Sequence, residues 1–297
     1  MKVEIECLSC MIHRGYLEIV GATQNPSLQF AAASTLLEYM AKEFNPNAVA
    51  AILGTMRDRM IKKISGTLDI YREKKRASNQ VALNLLPSLR NLVSQEASQK
   101  QRFRKASLIA IVGNTIEFDI PGHEVDFNKL KQLIESAEKE LAVDDISEIY
   151  QEANKANKIL FLADNAGEIA FDKLLISELK SLSAKVIVVV KAGPILNDAT
   201  LADADAVNMQ EVADAIITTG ADAVGLPLPE ERSKEFIKAY KEADFIIAKG
   251  MAYAETLTEV GLKQPHALLL RTKCNPVAKY FGVSRDENVA KLYKPRG

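Results

Sequence analysis

The sequence predicts an α/β protein in which a helical N-terminal half packs on a doubly wound, mainly parallel α/β/α domain. Three observations predict it. Up to residue 156 apolar side chains recur at helical spacing, from about residue 157 short β-branched-rich apolar runs take over, and helical patterns separate those runs. Continuous apolar runs suit strands buried on both faces of a sheet, and strand–helix alternation implies right-handed crossovers between parallel neighbours. The expected division is a helical domain at 1–156 and an α/β domain at 157–297.

In chain order, an N-terminal helix is expected to turn Leu8, Ile12, Tyr16 and Ile19 inward. Asn25-Pro26 and Asn45-Pro46 each set a capping amide before a proline suited to a first helical turn. Leu36, Leu37, Met40 and Phe44 follow at helical spacing, as do Val49, Ile52, Met56, Met60 and Ile64. The charge run from Arg72 to Arg76 reads as a solvated helix face. Further helical patterns cover 81–93, 103–116, 127–141 and 146–156. Strands are predicted at 158–163, 185–190, 215–218, 244–248 and 267–270, with intervening helices clearest at 168–182 and 229–243. No internal repeat and no Ser/Gly-rich linker interrupts the chain.

Composition removes several classes of function. The 297 residues carry 38 Lys+Arg against 39 Asp+Glu, and a net charge of -1 supplies no electrostatic drive toward nucleic acid or a polybasic membrane contact. A hydrophobic fraction of 47% is too high for disorder. No apolar run approaches the ~20 residues that span a bilayer. The opening MKVEIECLSC holds acidic residues where a secretory signal needs a basic and then an apolar stretch. Three cysteines cannot build a disulfide framework. The expectation is a soluble cytoplasmic protein that acts on a small molecule, with neither nucleic acid nor membrane as partner.

Ligands of open α/β sheets bind outside the carboxyl ends of the strands, so the residues leaving each predicted strand are the informative ones. The first strand ends in Asp164-Asn165-Ala166-Gly167-Glu168. The second runs into Lys191-Ala192-Gly193-Pro194 and then Asn197-Asp198. The third gives Thr218-Thr219-Gly220, the fourth Lys249-Gly250 and the fifth Arg271-Thr272-Lys273. Carboxylates and amides beside Lys and Arg suit a hard divalent cation next to an anionic ligand. Taken singly, Asp164 or Asn165 could cap the following helix, Asn197-Asp198 could be another cap, and Arg271 with Lys273 could be a surface pair. Chemistry-capable groups at four of five strand ends favour the functional reading.

Other chemistries fail on specifics. There is no G-x-x-x-x-G-K-[ST] and no G-x-G-x-x-G after a strand, which excludes a P-loop and a dinucleotide fingerprint. A haloacid-dehalogenase phosphatase needs a second Asp two residues after its nucleophile, where this chain has Ala166. No G-x-S-x-G elbow exists. With His13, His123 and His266 as the three histidines, a His-rich zinc site is implausible. Cys7-x-x-Cys10 could be half a zinc site, completed by His13 or Cys274, or a redox pair. Without a second pair at zinc-site spacing, structural cysteines are the better reading.

Taken together, these motifs resemble the damage-control phosphatase family, long catalogued as domain of unknown function 89. The resemblance covers essentially the whole chain. It includes the N-terminal C-x-x-C helix, a helical half containing Gly113-Asn114, and the α/β half. That half carries Asp164-Asn165-Ala166-Gly167-Glu168, Asn197-Asp198-Ala199-Thr200, Lys249-Gly250-Met251-Ala252 and Arg271-Thr272-Lys273-Cys274. The layout is that of the compact stand-alone microbial members.

The resemblance implies a metal-dependent phosphatase acting on small phosphate monoesters, such as sugar phosphates or cofactor phosphates, with one divalent ion (manganese, cobalt, nickel or magnesium). Carried over by position, Asp164, Asn165 and Asp198 would be metal ligands, and Glu168 would lie beside metal and substrate. Lys249, Arg271 and Lys273 would bind phosphate, with Asn165 and Asn114 also on the substrate side. Many members have an Asn shortly after the Lys-Gly pair, where this chain reads Met251-Ala252-Tyr253-Ala254-Glu255. On this reading Asp164, Glu168 and Asp198 are the catalytic set, with Glu168 as general acid/base. Asp164 stays open between ligand and nucleophile. Two rivals are a non-catalytic phosphate-ligand binding or regulatory module, and a zinc or redox interaction protein acting through Cys7 and Cys10.

Overall fold

All five apolar runs are strands of one seven-stranded sheet in the structure, a computed structural model that describes residues 1–113 and 127–295. The strands are β1 (Leu141–Asp144), β2 (Lys158–Leu162), β3 (Lys185–Val190), β4 (Ala215–Thr218), β5 (Phe245–Lys249), β6 (His266–Arg271) and β7 (Asn288–Tyr293). The helices in the first half are α1 (Cys7–Ala22), α2 (Pro26–Glu43), α3 (Ala50–Ser65), α4 (Arg72–Ser94), α5 (Gln99–Gly113), α6 (Phe127–Lys139) and α7 (Ile146–Lys155). Those in the second are α8 (Glu168–Ser181), α9 (Leu201–Ala206), α10 (Lys234–Glu242), α11 (Gly250–Leu257) and α12 (Asn275–Phe281).

Strand order is β1-β7-β6-β5-β2-β3-β4. Strands β2 to β6 run parallel, while β7 is antiparallel to β6 and carries β1 parallel to itself at the edge. The alternate residues of the central strands enter two different cores. Ile159, Phe161, Val188 and Ile247 face α4, α5 and α8, whereas Leu160, Leu162, Ile246 and Leu268 face α10, α11 and α12. Burial on both faces is why these strands read as unbroken apolar runs. From β2 the chain winds one way through β3 and β4, then returns to the other side of β2 with β5 and β6. The switch in direction therefore falls between β2 and β5, where an α/β sheet opens its ligand crevice.

The first half differs in detail from the expectation. Residues 141–144, at the junction between the helical patterns expected at 127–141 and 146–156, form edge strand β1, where no strand was expected. The core does not break at residue 156 either. Leu89, Phe103, Ile109 and Ile111 of α4 and α5 share one apolar cluster with the sheet and α8. A separate small cluster, with Met11, Ile19, Leu36, Met40, Leu53 and Ile61, joins α1, α2 and α3. Asn25 caps α2 through Ser27 N–H, as expected, but Asn45 accepts from Asn47 N–H in a turn, and α3 begins only at Ala50. On α1 the inward face is Met11, Gly15, Glu18 and Ile19, while Leu8 and Tyr16 are exposed. Helices pack too closely there for a larger residue: a Cβ on Gly15 would stand 2.2 Å from Leu36 Cδ2.

Candidate functional site

Backbone register assembles the site. Leu162 on β2 pairs with Ala248 on β5 and with Val189 on β3, so two residues further on Asp164 comes level with Gly250 on one side and Lys191 on the other. The chain after β3 then folds back into the gap between β2 and β3. Ala166 N–H donates to Asn197 O (2.9 Å), Ala199 N–H to Asp164 O (2.8 Å) and Lys191 N–H to Ala199 O (2.9 Å). Isolated bridges pair Asn165 with Asp198 and Lys191 with Thr200. Asp164, Asn165 and Asp198, which are 34 residues apart at the extremes, thus share one hydrogen-bonded patch of backbone.

The side chains there are buried and densely charged. Asn165 Nδ2 donates to Asp164 Oδ2 (2.9 Å) and to Glu168 Oε2 (3.0 Å). Burial raises the Asp164 carboxyl well above its usual range, and Glu168 and Asp198 add to that, against the pull of Lys191 and Lys273. Asp198 is pushed up to about 6, again mainly by burial, although Lys191 opposes it. The Lys191 ammonium donates to Gly225 O (2.6 Å), lies 4.2 Å from the centre of the Tyr253 ring and stands 3.5 Å from Asp198 Oδ2. Asp198 Oδ2 is buried and accepts no hydrogen bond from the described residues.

A second charged cluster backs the first. Lys249, fully buried at the end of β5, donates to Ala110 O (2.8 Å), Glu168 Oε1 and Asp172 Oδ1 (2.8 Å). An ammonium has three donors, and all three are taken by the protein. Burial works against the Lys249 charge, but Asp172 and Glu168 outweigh it and keep the ammonium protonated. Burial pushes Asp172 up to about 7. Lys249 therefore holds Glu168 in place and presents no spare N–H to a phosphate, in contrast to the expectation.

Of the other expected residues, Lys273 bears electrostatically on Asp164, and Met251 Sδ accepts from its backbone N–H. Arg271 is directed elsewhere: its guanidinium donates to Glu140 Oε2 (2.6 Å) and Asn288 Oδ1 (3.2 Å). Asn114 lies outside the described residues. Cys7 is half-buried, Cys10 exposed and Cys274 half-buried, and all three thiols are free. Contacts from Asn275 to Glu6 and from Lys279 to Glu4, each 2.8 Å, dock the start of α1 on α12 and bring Cys7 toward Cys274. Burial pushes Cys274 up to about 11 and raises Cys7, which disfavours the reactive thiolate.

Several residues at the site were not predicted. Asp172 stands four residues after Glu168 on α8, a spacing that puts both on one helix face and that the sequence displays openly. Lys191 reads from the sequence only as the end of a strand. Asp58 and Asn79 come from the first half of the chain and carry no motif. Asp58 on α3 accepts from Leu196 N–H at 3.5 Å and pairs with Lys62 (2.8 Å), bracing the loop before Asp198. Asn79 on α4 accepts from Gly167 N–H (2.7 Å) and donates to Asp203 (2.9 Å).

Among the described residues no three His, Cys, Asp or Glu side chains already surround a metal position. The donor set here is two carboxylates and an amide, and it suits a hard cation. The two carboxylates are buried, Asp198 Oδ2 has no hydrogen-bond donor among the described residues, and burial holds both Asp164 and Asp198 above their ordinary range.

Comparison with known proteins gives the family. The sequence matches the damage-control phosphatase ARMT1-like domain over residues 3–289. The chain belongs to that family. It is 37% identical over 293 residues to an uncharacterized protein of Methanocaldococcus jannaschii, across 97% of this chain and 95% of the relative. It is 35% identical over 293 residues to a damage-control phosphatase of Archaeoglobus fulgidus, across 98% and 99%. Its fold superposes on the crystal structure of a DUF89 family protein from Pyrococcus horikoshii with a TM-score of 0.90 and 32% identity, covering 99% of this chain and all of the other. No helix among the described residues is long and apolar enough to cross a membrane.

Proposed function

We propose that this protein is a metal-dependent phosphatase that hydrolyses small phosphate monoesters, of the sugar-phosphate or cofactor-phosphate kind. The observation that carries the reading is the convergence of Asp164, Asn165 and Asp198 on one bridged backbone patch, with Glu168 within hydrogen-bond reach of Asn165. Membership of a damage-control phosphatase family and the name of the Archaeoglobus fulgidus relative support it.

In this reading Asp164, Asn165 and Asp198 hold a divalent cation, of which manganese, cobalt, nickel and magnesium are the candidates. When bound, such an ion would act as a Lewis acid on the phosphoryl group and would make water more acidic, and so a better nucleophile near neutral pH. The residues supply the rest. Lys273 offsets negative charge on the phosphoryl group, where a preorganised cation acts most strongly. Glu168, fixed by Asn165 on one oxygen and Lys249 on the other, exchanges the proton between the attacking water and the leaving alcohol. The products are the free alcohol and inorganic phosphate. A phosphate-release screen over sugar and cofactor phosphates, with each of the four metals and with chelator, tests the reading. Metal-stimulated release lost in Asp198→Ala is expected, and no release with any metal would overturn it.

A further inference from the structure

Beside the candidate site the structure has a second concavity, a cleft of about 700 Å³ between α4 and the segment that follows β3. Its size suits a small-molecule group. Arg72, Arg76, Asn79 and Leu83 line one wall at positions i, i+4, i+7 and i+11, a single face of α4. Gly193 and Thr200 lie on the opposite wall.

The charges in this cleft do not cancel. Buried Lys75 is paired with Asp69 (3.2 Å) and Asp203 (3.3 Å). Asp203 is further occupied, since Asn79 donates to one of its oxygens and the Thr200 N–H and hydroxyl donate to the other. Arg72 and Arg76 are different. Among the described residues neither guanidinium has an ion pair or a side-chain hydrogen bond. Two guanidiniums one helical turn apart at the rim of a cleft form a recognition element for phosphate or carboxylate oxygens.

The cleft also shares its walls with the catalytic segments. Thr200 follows Asp198 by two residues, which bounds their Cα separation at about 7.6 Å. Asn79 lines the cleft and takes the N–H of Gly167, inside the segment from Asp164 to Glu168. A molecule whose scissile phosphate lies at Asp164 and Asp198 therefore has this cleft within one small-molecule length. We propose that the cleft receives the leaving-group end of the substrate, and that this end carries a second anionic group, phosphate or carboxylate, bound by Arg72 and Arg76. The inference rests on the phosphatase reading and narrows it to substrates with two anionic ends.

The test compares an alkyl monophosphate with the α,ω-bisphosphate of the same chain length. Wild-type protein is expected to show a KM at least about tenfold lower for the bisphosphate. Arg72→Ala with Arg76→Ala should erase that preference and leave kcat/KM for the monophosphate within twofold. Arg72→Lys with Arg76→Lys should restore part of it. Turnover without a preference in the wild type, or a preference that survives the double alanine variant, overturns the proposal and leaves the phosphatase reading standing. If neither ester is turned over, the phosphatase reading is decided by the sugar- and cofactor-phosphate screen, and calorimetric titration with inorganic pyrophosphate decides the cleft. Binding that the double alanine variant abolishes sustains an anion site there, and no binding overturns it.

Discussion

The carboxylate of Asp164 rests directly against the Cα of Gly250: a Cβ at residue 250 would stand 1.9 Å from Asp164 Oδ2. Gly250 also has φ +79°, a conformation that costs an L residue about 1–2 kcal/mol. Gly250→Ala must therefore either swing the carboxylate away or move the start of α11. A drop in kcat/KM of at least a hundredfold is expected, with Mn²⁺ affinity lowered and melting only modestly reduced. Activity and metal titration equal to wild type would show that the contact has no functional weight.

Asp198→Ala should weaken divalent-metal binding by at least tenfold while the protein stays folded. A hard-ion site with few carboxylate donors depends on each of them. Titration calorimetry with Mn²⁺ measures the effect, and circular dichroism confirms the fold.

Lys249→Met strands Glu168 and Asp172 as buried carboxylates without their cation. Breaking such a cluster from one side costs about 3–5 kcal/mol. Adding Asp172→Asn should recover part of the loss, so the two substitutions will not sum in denaturant titrations. Strict additivity would mean the two side chains do not interact.

Lys273 and Arg271 should separate. Lys273→Ala is expected to cost about 2–4 kcal/mol in transition-state stabilisation, the order found for preorganised charge-stabilising donors. Arg271, occupied by Glu140 and Asn288, should change kcat/KM less than threefold on truncation to Ala. A large loss at Arg271 would mean that the guanidinium leaves Glu140 when substrate binds.

His266 provides a pH prediction away from the site. It stacks on Tyr293 at 4.9 Å, and burial lowers its pKa to about 4. The unfolded chain takes up this proton near pH 6.5 and the folded chain only near 4. Stability present above pH 6.5 is therefore lost as pH falls through that window, by about 3 kcal/mol. Asp172 and Asp198, held high when folded, act in the opposite sense. The readout is thus the difference between wild type and His266→Phe in denaturant titrations at pH 7 and pH 4.5. A pH-independent difference would refute it.

What the sequence made legible follows burial. Strands β2 to β6, covered on both faces, announce themselves as apolar runs and were found to within a residue or two. Edge strands β1 and β7 alternate exposed and buried positions or include Lys and Asn, and they gave no such signal. The helix faces of the first half misled for a related reason. On α3 the stripe Ile52 and Met56 is partly exposed, while Thr55, Arg57 and Asp58 are buried, because that face meets α1 and the loops after β3 and β4. An apolar-stripe reading assumes that the inside is apolar. Likewise Lys249 at a strand end looked like a phosphate ligand, and only the positions of Ala110, Glu168 and Asp172 show that its donors are used.

The merging of α4 and α5 with the core of the sheet bears on how the molecule comes into being. During synthesis the first 156 residues emerge with the apolar sides of α4 and α5 uncovered, waiting for β2 to β6 to arrive. Asp58 and Asn79 are made early, and the loops they brace, around Gly167 and Leu196, follow only after the intervening helices and β2. A product that stops before Lys249 lacks the ammonium that holds Glu168 and Asp172, so the buried carboxylates are left without their cation. Both carboxylates are thus synthesised well before the cation that neutralises them.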